Sequence, residues 1–153
     1  MKIEKLGSES DSLGKIINIH HTPTLAFSPV YTFFLKEMAS LIDMGFNYPV
    51  TNWSDSDCAA VYAEHEGEIV GHIVYSTKNL EKNKALWIVL SAVKSKFRGR
   101  GIYTILHKYF ENCAVALNCT AIASHVHIKN EIRLKSAESA GMKPHFYLMV
   151  KKI

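Results

Sequence analysis

Apolar positions change their spacing several times along this chain, and each change predicts an element. Val30, Phe33, Phe34, Met38, Leu41 and Ile42 recur at steps of three and four, the spacing of one helix face, with Gly45 as its stop. Two strand-like runs, 59–64 and 69–75, flank Glu66-Gly67-Glu68 and read as a hairpin. A third strand is expected at 85–93, after a lysine-rich turn. Ile102, Ile105, Leu106, Tyr109, Phe110, Cys113 and Leu117 then mark a helix of about four turns. A strand over 120–128 follows, with His125 and His127 on one face, then a helix over 131–140 stopped by Gly141 and a closing strand over 146–150. Before residue 25 only a strand at 3–6 is indicated, His20-His21 reads as a solvated loop pair, and 49–57 reads as a loop. The order predicts an α+β fold: a mixed, mostly antiparallel central sheet flanked by helices, in one domain spanning 1–153.

Composition narrows the class. Hydrophobic residues make up 48% and charged residues 21%, which supports a packed core and argues against disorder. The cysteines are Cys58, Cys113 and Cys119, an odd number with no C-x-x-C pair, so neither a disulfide framework nor a thiolate zinc site is expected. The densest apolar patch, Leu86-Trp87-Ile88-Val89-Leu90, is far short of the roughly 18 residues of a membrane helix. The start, Met1-Lys2-Ile3-Glu4-Lys5, lacks a signal peptide's apolar core. The expectation is a reduced, soluble, cytoplasmic protein. Its charge is uneven: residues 1–80 carry a net −5 and residues 81–153 a net +9, so the second half is the part suited to a polyanion or a phosphorylated cofactor.

The chemistry concentrates in Ser91-Ala92-Val93-Lys94-Ser95-Lys96-Phe97-Arg98-Gly99-Arg100-Gly101-Ile102-Tyr103. An apolar strand runs into a turn with two glycines, and a helix starts at once. That arrangement aims backbone N–H groups and a helix N-terminus at one spot, where an anion is stabilised. Lys94, Lys96, Arg98 and Arg100 add four positive charges. The P-loop pattern G-x-x-x-x-G-K-[ST] and the dinucleotide pattern G-x-G-x-x-G are both missing.

On these residues the sequence resembles the GCN5-related N-acetyltransferases, whose signature is a strand, then [Q/R]-x-x-G-x-[G/A], then a helix. Arg98, Gly99, Arg100, Gly101 and Ile102 fit it, and Val93 and Phe97 fall where the family places similar residues. Tyr103 stands where Gly or Ala is usual, which narrows the pyrophosphate site unless the ring points away. Asn130 and the Ala140-Gly141-Met142 turn continue the likeness, at the family's spacing of an Asn and, eleven residues later, Gly-Phe. The resemblance covers the chain from about residue 59 to the end.

What the resemblance implies is binding of acetyl-coenzyme A and acyl transfer to an amine, with no metal. Ser91, Ala92 and Val93 would pair with the pantetheine arm. Arg98, Gly99, Arg100, Gly101, Ile102, Tyr103 and Thr104 would hold the pyrophosphate, and Asn130 would bond the arm or else cap the helix that follows it. A glutamate five residues before the Asn is the base in relatives that acetylate ribosomal-protein N-termini; here that position is His125, and a histidine serves as base at neutral pH. His72 is a weaker candidate. The tyrosine many relatives place seven residues after the Asn is Ala137 here, which leaves Tyr147 or a water as proton donor. Glu64, Glu66 and Glu68 in the hairpin stand where a cationic acceptor is approached, or form a solvated turn. The implied partners are acetyl-coenzyme A and an unidentified amine; neither nucleic acid nor membrane is expected, and an exposed closing strand permits pairing with a second copy. Two other readings stay open: an acyl-coenzyme A-binding sensor or scaffold without turnover, and a nucleic-acid-binding domain using the basic run 94–100.

Overall fold

The computed structural model describes residues 2–45, 54–147 and 149–153. Six strands form one sheet in chain order: β1 (Glu4–Ser10), β2 (Ile16–Thr22), β3 (Cys58–His65), β4 (Glu68–Leu80), β5 (Asn83–Val93) and β6 (Ala121–Ser124). The first five pair antiparallel; β6 alone runs parallel to its neighbour, because α2 (Ile102–Ala116) carries the chain back between them. This is the predicted mixed, mostly antiparallel α+β architecture. The β3–β4 turn is Glu66-Gly67, both at positive φ (50° and 83°), the conformation that matches the twist of a two-residue hairpin.

Each face of the sheet buries its own core. On one side α2 lays Ile102, Leu106 and Phe110 on Ile17, Ile19, Val61, Ile73 and Leu86. On the other, α1 (Tyr31–Asp43) sets Phe34 and Met38 against Ala60, Tyr62, Val74 and Leu90. α3 (Glu131–Ser139) ends in a Schellman turn: Met142 N–H reaches the Ala137 carbonyl at 3.0 Å and Gly141, at φ +86°, donates to Glu138 at 2.9 Å.

One irregularity shapes the site. Val74 pairs with Leu90 but Tyr75 pairs with Ile88, so Val89 is an extra residue in β5. Such a bulge bends its strand and flips the faces beyond it. Ile88 accordingly packs in the α2-side core while Leu90, two residues on, packs in the α1-side core. Pairing with β6 stops at Ile88, so from Val89 to Val93 the strand has one free edge. Gly71, opposite Val93, lies under this bend: a Cβ there would sit 3.1 Å from Leu106 Cδ1 and 3.2 Å from the Ala92 carbonyl oxygen. Gly71→Ala is therefore expected to lower the unfolding free energy by about 1–3 kcal/mol in urea titration, since backbone on one side and helix on the other must give way.

Several expectations are corrected. The first strand is β1, longer than 3–6, and a whole strand, β2, occupies the stretch that has no clean alternation. His20 and His21 belong to β2 rather than to a loop: His20 stacks on Tyr62 at 5.2 Å and meets Glu64 at 3.1 Å, and His21 bonds the Tyr75 hydroxyl at 2.7 Å. Of the loop expected at 49–57, residues 49–53 lie outside the described residues, and Asp55–Asp57 is a 3₁₀ turn. β6 ends at Ser124, not 128, so His125 and His127 lie in the connection to α3. The strand expected at 146–150 is not formed by its described residues: Phe146, Tyr147, Met149 and Val150 are each at least 66% exposed. Leu148 lies outside the described residues.

Candidate active site

A cleft of about 740 Å³ opens where β5 leaves β6, a size ordinary for small-molecule sites. Its floor is β5 from Trp87 to Val93. Glu37, Ser40 and Leu41 of α1 close one side, 124–127 and the first turns of α3 close the other, and Arg98 and Tyr103 stand at its head. Ser91, Ala92, Val93, Arg98, Tyr103, His125 and Asn130 all line this cleft, so residues spread over 40 positions of sequence meet in one place. Gly99, Arg100, Gly101, Ile102 and Thr104 form the turn and helix start behind Arg98 and Tyr103 but are not wall residues.

The free edge of β5 has a definite polarity. Lys94 N–H is spent on the Val70 carbonyl of β4 at 2.9 Å, and the Ala92 carbonyl faces Gly71. By strand alternation the N–H and C=O groups of Ser91 and Val93 face the opposite way, toward the open side. There the Val93 carbonyl accepts from Arg98 Nε at 3.0 Å. Ser91 and Val93, rather than Ala92, present backbone donors to a guest.

The turn itself needs its glycines. Gly99 and Gly101 have φ of +75° and +80°, and a Cβ at either would touch nothing within 4 Å, so the demand is conformational. Gly101 is the N-cap of α2 and brings no side-chain cap, which leaves the first N–H groups of the helix for an outside acceptor. The tip of the β1–β2 hairpin braces this turn: Ser12 N–H donates to the Arg100 carbonyl at 3.0 Å. Asp11, whose Oδ1 accepts from Leu13 and Lys15 N–H, holds Oδ2 3.9 Å from the Arg100 guanidinium. In the sequence, Asp11-Ser12-Leu13-Gly14 is a turn signal, though nothing in it points to residue 100.

The basic run is largely neutralised from within. Lys94 and Lys96 pair with Glu68 at 3.7 and 2.9 Å, and the Lys96 hydrogen bond in particular holds the Glu68 carboxyl below its ordinary range. Arg100 faces Asp11 and lies over the Phe97 ring. Of the four cations only Arg98 lines the cleft. Glu64 is likewise engaged, by His20, Asn18 and the Gly67 N–H; none of the three hairpin acids lines the cleft, whose wall carries the carboxylate of Glu37.

His125 lies flat against Trp87, ring centroids 5.1 Å apart, on the cleft wall. Burial pushes its pKa down, which keeps the imidazole neutral and able to accept a proton. His72 is a different object: fully buried, edge-on to Phe33 at 4.8 Å, and pushed down to about 3 by desolvation, it faces no cleft and is no base. Ala137 is buried and offers no hydroxyl, and Tyr147, at 87% exposed, is not a wall residue. Among the described residues no three His, Cys, Asp or Glu side chains gather as a metal site.

Asn130 caps α3, its Oδ1 accepting the Arg133 N–H at 3.2 Å. Asn130 is also a wall residue of the cleft, and substitution separates its capping role from a ligand role. Asn130→Ser keeps a capping oxygen and Asn130→Ala does not, so only the alanine variant is expected to lose about 1 kcal/mol in thermal unfolding. A ligand role for the amide would show as weaker acetyl-coenzyme A binding in both.

A second cleft, of about 640 Å³, lies on the α2 side between His21, Tyr75, Tyr109 and Cys113. Burial pushes both the Cys113 thiol and the Tyr75 hydroxyl up, so neither is activated as a nucleophile.

Comparison with known proteins agrees with this geometry. Residues 24–142 match the pattern of the acetyltransferase (GNAT) family, reaching back over α1, well before residue 59, and stopping short of the C-terminal tail. None of the curated proteins matches. Among solved structures, a ribosomal-protein-alanine N-acetyltransferase from Brucella melitensis superposes with a TM-score of 0.66 at 16% identity, covering 90% of this chain and 99% of its own. An aminoglycoside acetyltransferase from an uncultured soil metagenomic sample gives 0.65 at 17%, covering 90% and 98%. An aminoglycoside N-acetyltransferase in complex with CoA gives 0.62 at 14%, covering 88% and 98%. At such identities the likeness is one of fold.

Proposed function

We propose, from the premise that this chain belongs to the acetyltransferase (GNAT) family, that it moves the acetyl group of acetyl-coenzyme A onto an amine held in the cleft. The observation that carries this reading is the free edge of β5 running into the positive-φ glycine turn. An extended amide-bearing arm finds backbone partners at Ser91 and Val93, and a diphosphate finds the N-terminus of α2 with Arg98 beside it. The donor's shape and charge fit what the cleft offers.

The amine must lose a proton before it attacks, since a lysine-like amine has a reference pKa of about 10.4. His125, neutral and on the wall, takes that proton directly or through water. As the amine nitrogen bonds to the carbonyl carbon, charge builds on the carbonyl oxygen, and one of the outward N–H groups, at Ser91 or Val93, stabilises it while the other holds the arm. The carbon–sulfur bond then breaks and coenzyme A leaves as the thiolate. Glu37 is the wall carboxylate that attracts a cationic acceptor.

The lack of a hydroxyl at Ala137 favours a second reading, a donor-binding protein without turnover. Release of coenzyme A thiol, followed with a thiol reagent over a panel of aminoglycosides, polyamines and peptide N-termini, separates the two. Acceptor-dependent release above the hydrolytic background is expected. Saturable donor binding with no release for any amine would favour the sensor, and no donor binding would overturn both.

A further inference from the structure

Three of the buried polar atoms that lack a hydrogen-bond partner fall in one place: Tyr103 Oη, His107 Nε2 and Arg133 Nη2. Tyr103 and His107 are one turn apart on α2, rings 5.8 Å apart, and the Arg133 guanidinium of α3 lies 5.8 Å above the Tyr103 ring. His107 is only 6% exposed. Groups like these are normally satisfied in native proteins, and leaving three together unsatisfied is unfavourable. Arg133 is held lightly. Nη1 donates to Ser136 Oγ at 3.2 Å, and no carboxylate pairs with it among the described residues.

Relief is close at hand. Tyr103 and Arg133 both line the cleft beside Arg98, and Tyr103 is two residues past Gly101, where the diphosphate is seated in the reading above. We propose that Tyr103 and Arg133, backed by the buried His107, form a subsite on the cleft wall for a phosphate oxyanion of the acyl donor, Arg133 lying over the Tyr103 ring until that anion engages it. The guest's chemistry follows from the donors on the wall: a guanidinium fork and a phenol together match a phosphate oxygen and leave an apolar guest with nothing to replace the lost hydration. This inference rests on the acetyl-coenzyme A reading and deepens it. Tyr103, at the position where the family has Gly or Ala, is then a platform for Arg133 instead of an obstruction.

A consequence distinguishes the subsite from a structural cluster. His107 is faced by Glu111 through Nδ1 at 3.3 Å, by Tyr103 and Phe110 on its own helix, and by Arg133 from α3. Burial foremost holds its pKa down; Glu111 raises it and the Arg133 charge lowers it again. An oxyanion that neutralises Arg133 removes one lowering cause and adds attraction for imidazolium, so donor binding is accompanied by proton uptake.

Calorimetric titration of acetyl-coenzyme A in two buffers of different ionisation enthalpy reads this directly. The wild type is expected to take up a fraction of a proton per donor bound. Arg133→Gln is expected to weaken binding about tenfold, the order of one charge-assisted phosphate contact. His107→Gln is expected to abolish the uptake with a smaller loss of affinity, and Tyr103→Phe, which keeps the ring and the fold, to weaken binding without abolishing it. Acetyl-(3′-dephospho)-coenzyme A assigns the source. If the ribose phosphate is the guest, the Arg133→Gln penalty disappears with that donor; if the diphosphate is, the penalty persists. Inorganic phosphate producing the same uptake alone would assign the subsite to the free ion. Wild-type binding unchanged in folded Arg133→Gln and Tyr103→Phe, without proton uptake, would overturn the subsite alone. A wild type that binds no acetyl-coenzyme A would overturn the underlying reading as well.

Discussion

His125→Ala is expected to lower kcat/KM for amine acetylation at pH 7 by about 10²- to 10⁴-fold, the contribution of a positioned general base. Donor affinity should change little, because the ring packs on Trp87 and not on the glycine turn. The pH profile supplies the sign. Burial lowers the His125 pKa from the ordinary 6.5, so the base is neutral at pH 7 and stays so into mildly acidic solution. The acid limb of kcat/KM should therefore lie below pH 6.5 in the wild type and vanish in the variant. Were kcat/KM to survive the substitution, the base would lie elsewhere on the wall, with His127 the nearest alternative in sequence.

The second large effect is on the donor. Arg98→Glu combined with Gly101→Glu replaces the cleft's one cation from the basic run with an anion and sets a second carboxylate at the N-cap of α2. Acetyl-coenzyme A affinity should fall at least a hundredfold, about 2.7 kcal/mol or more. Part of any loss could come from strain, since a side chain at φ +80° costs about 1–2 kcal/mol. Gly101→Ala isolates that part. It carries the same backbone penalty, adds a Cβ that meets nothing within 4 Å, and brings no charge. It should lower the melting temperature and leave most of the affinity intact. Equal affinity losses in the alanine and double-glutamate variants would show that turn shape matters and charge does not.

The elements legible in the sequence are those whose hydrophobic period is long and clean. α1 and α2 follow 3.6-residue stripes, and the β3–β4 hairpin is announced by Glu66-Gly67. β2 escaped because Asn18, His20 and His21 interrupt its alternation, and their polar atoms are satisfied by Glu64 and Tyr75 across strands that local sequence does not display. β6 looked longer than it is because 120–128 alternates throughout, whereas the bulge at Val89 turns β5 away and leaves nothing to pair with beyond Ile88.

The cleft was half legible. Arg98 to Thr104 and Asn130 carry a local pattern, and that pattern led to the family. The internal partners that quench the basic run, Glu68 and Asp11, do not, because each is close to its cation only in space. Arg133 and Glu37 were missed for the same reason: each is an ordinary helix-surface residue until the fold places it on the cleft wall.

Amide hydrogen exchange with and without acetyl-coenzyme A tests the central claim most directly, because it reports where the donor lies. The expected result is slowed exchange at Ser91 and Val93 and across 99–104. Unchanged exchange at those amides, or slowing confined to the second cleft around Tyr75, Tyr109 and Cys113, would contradict it.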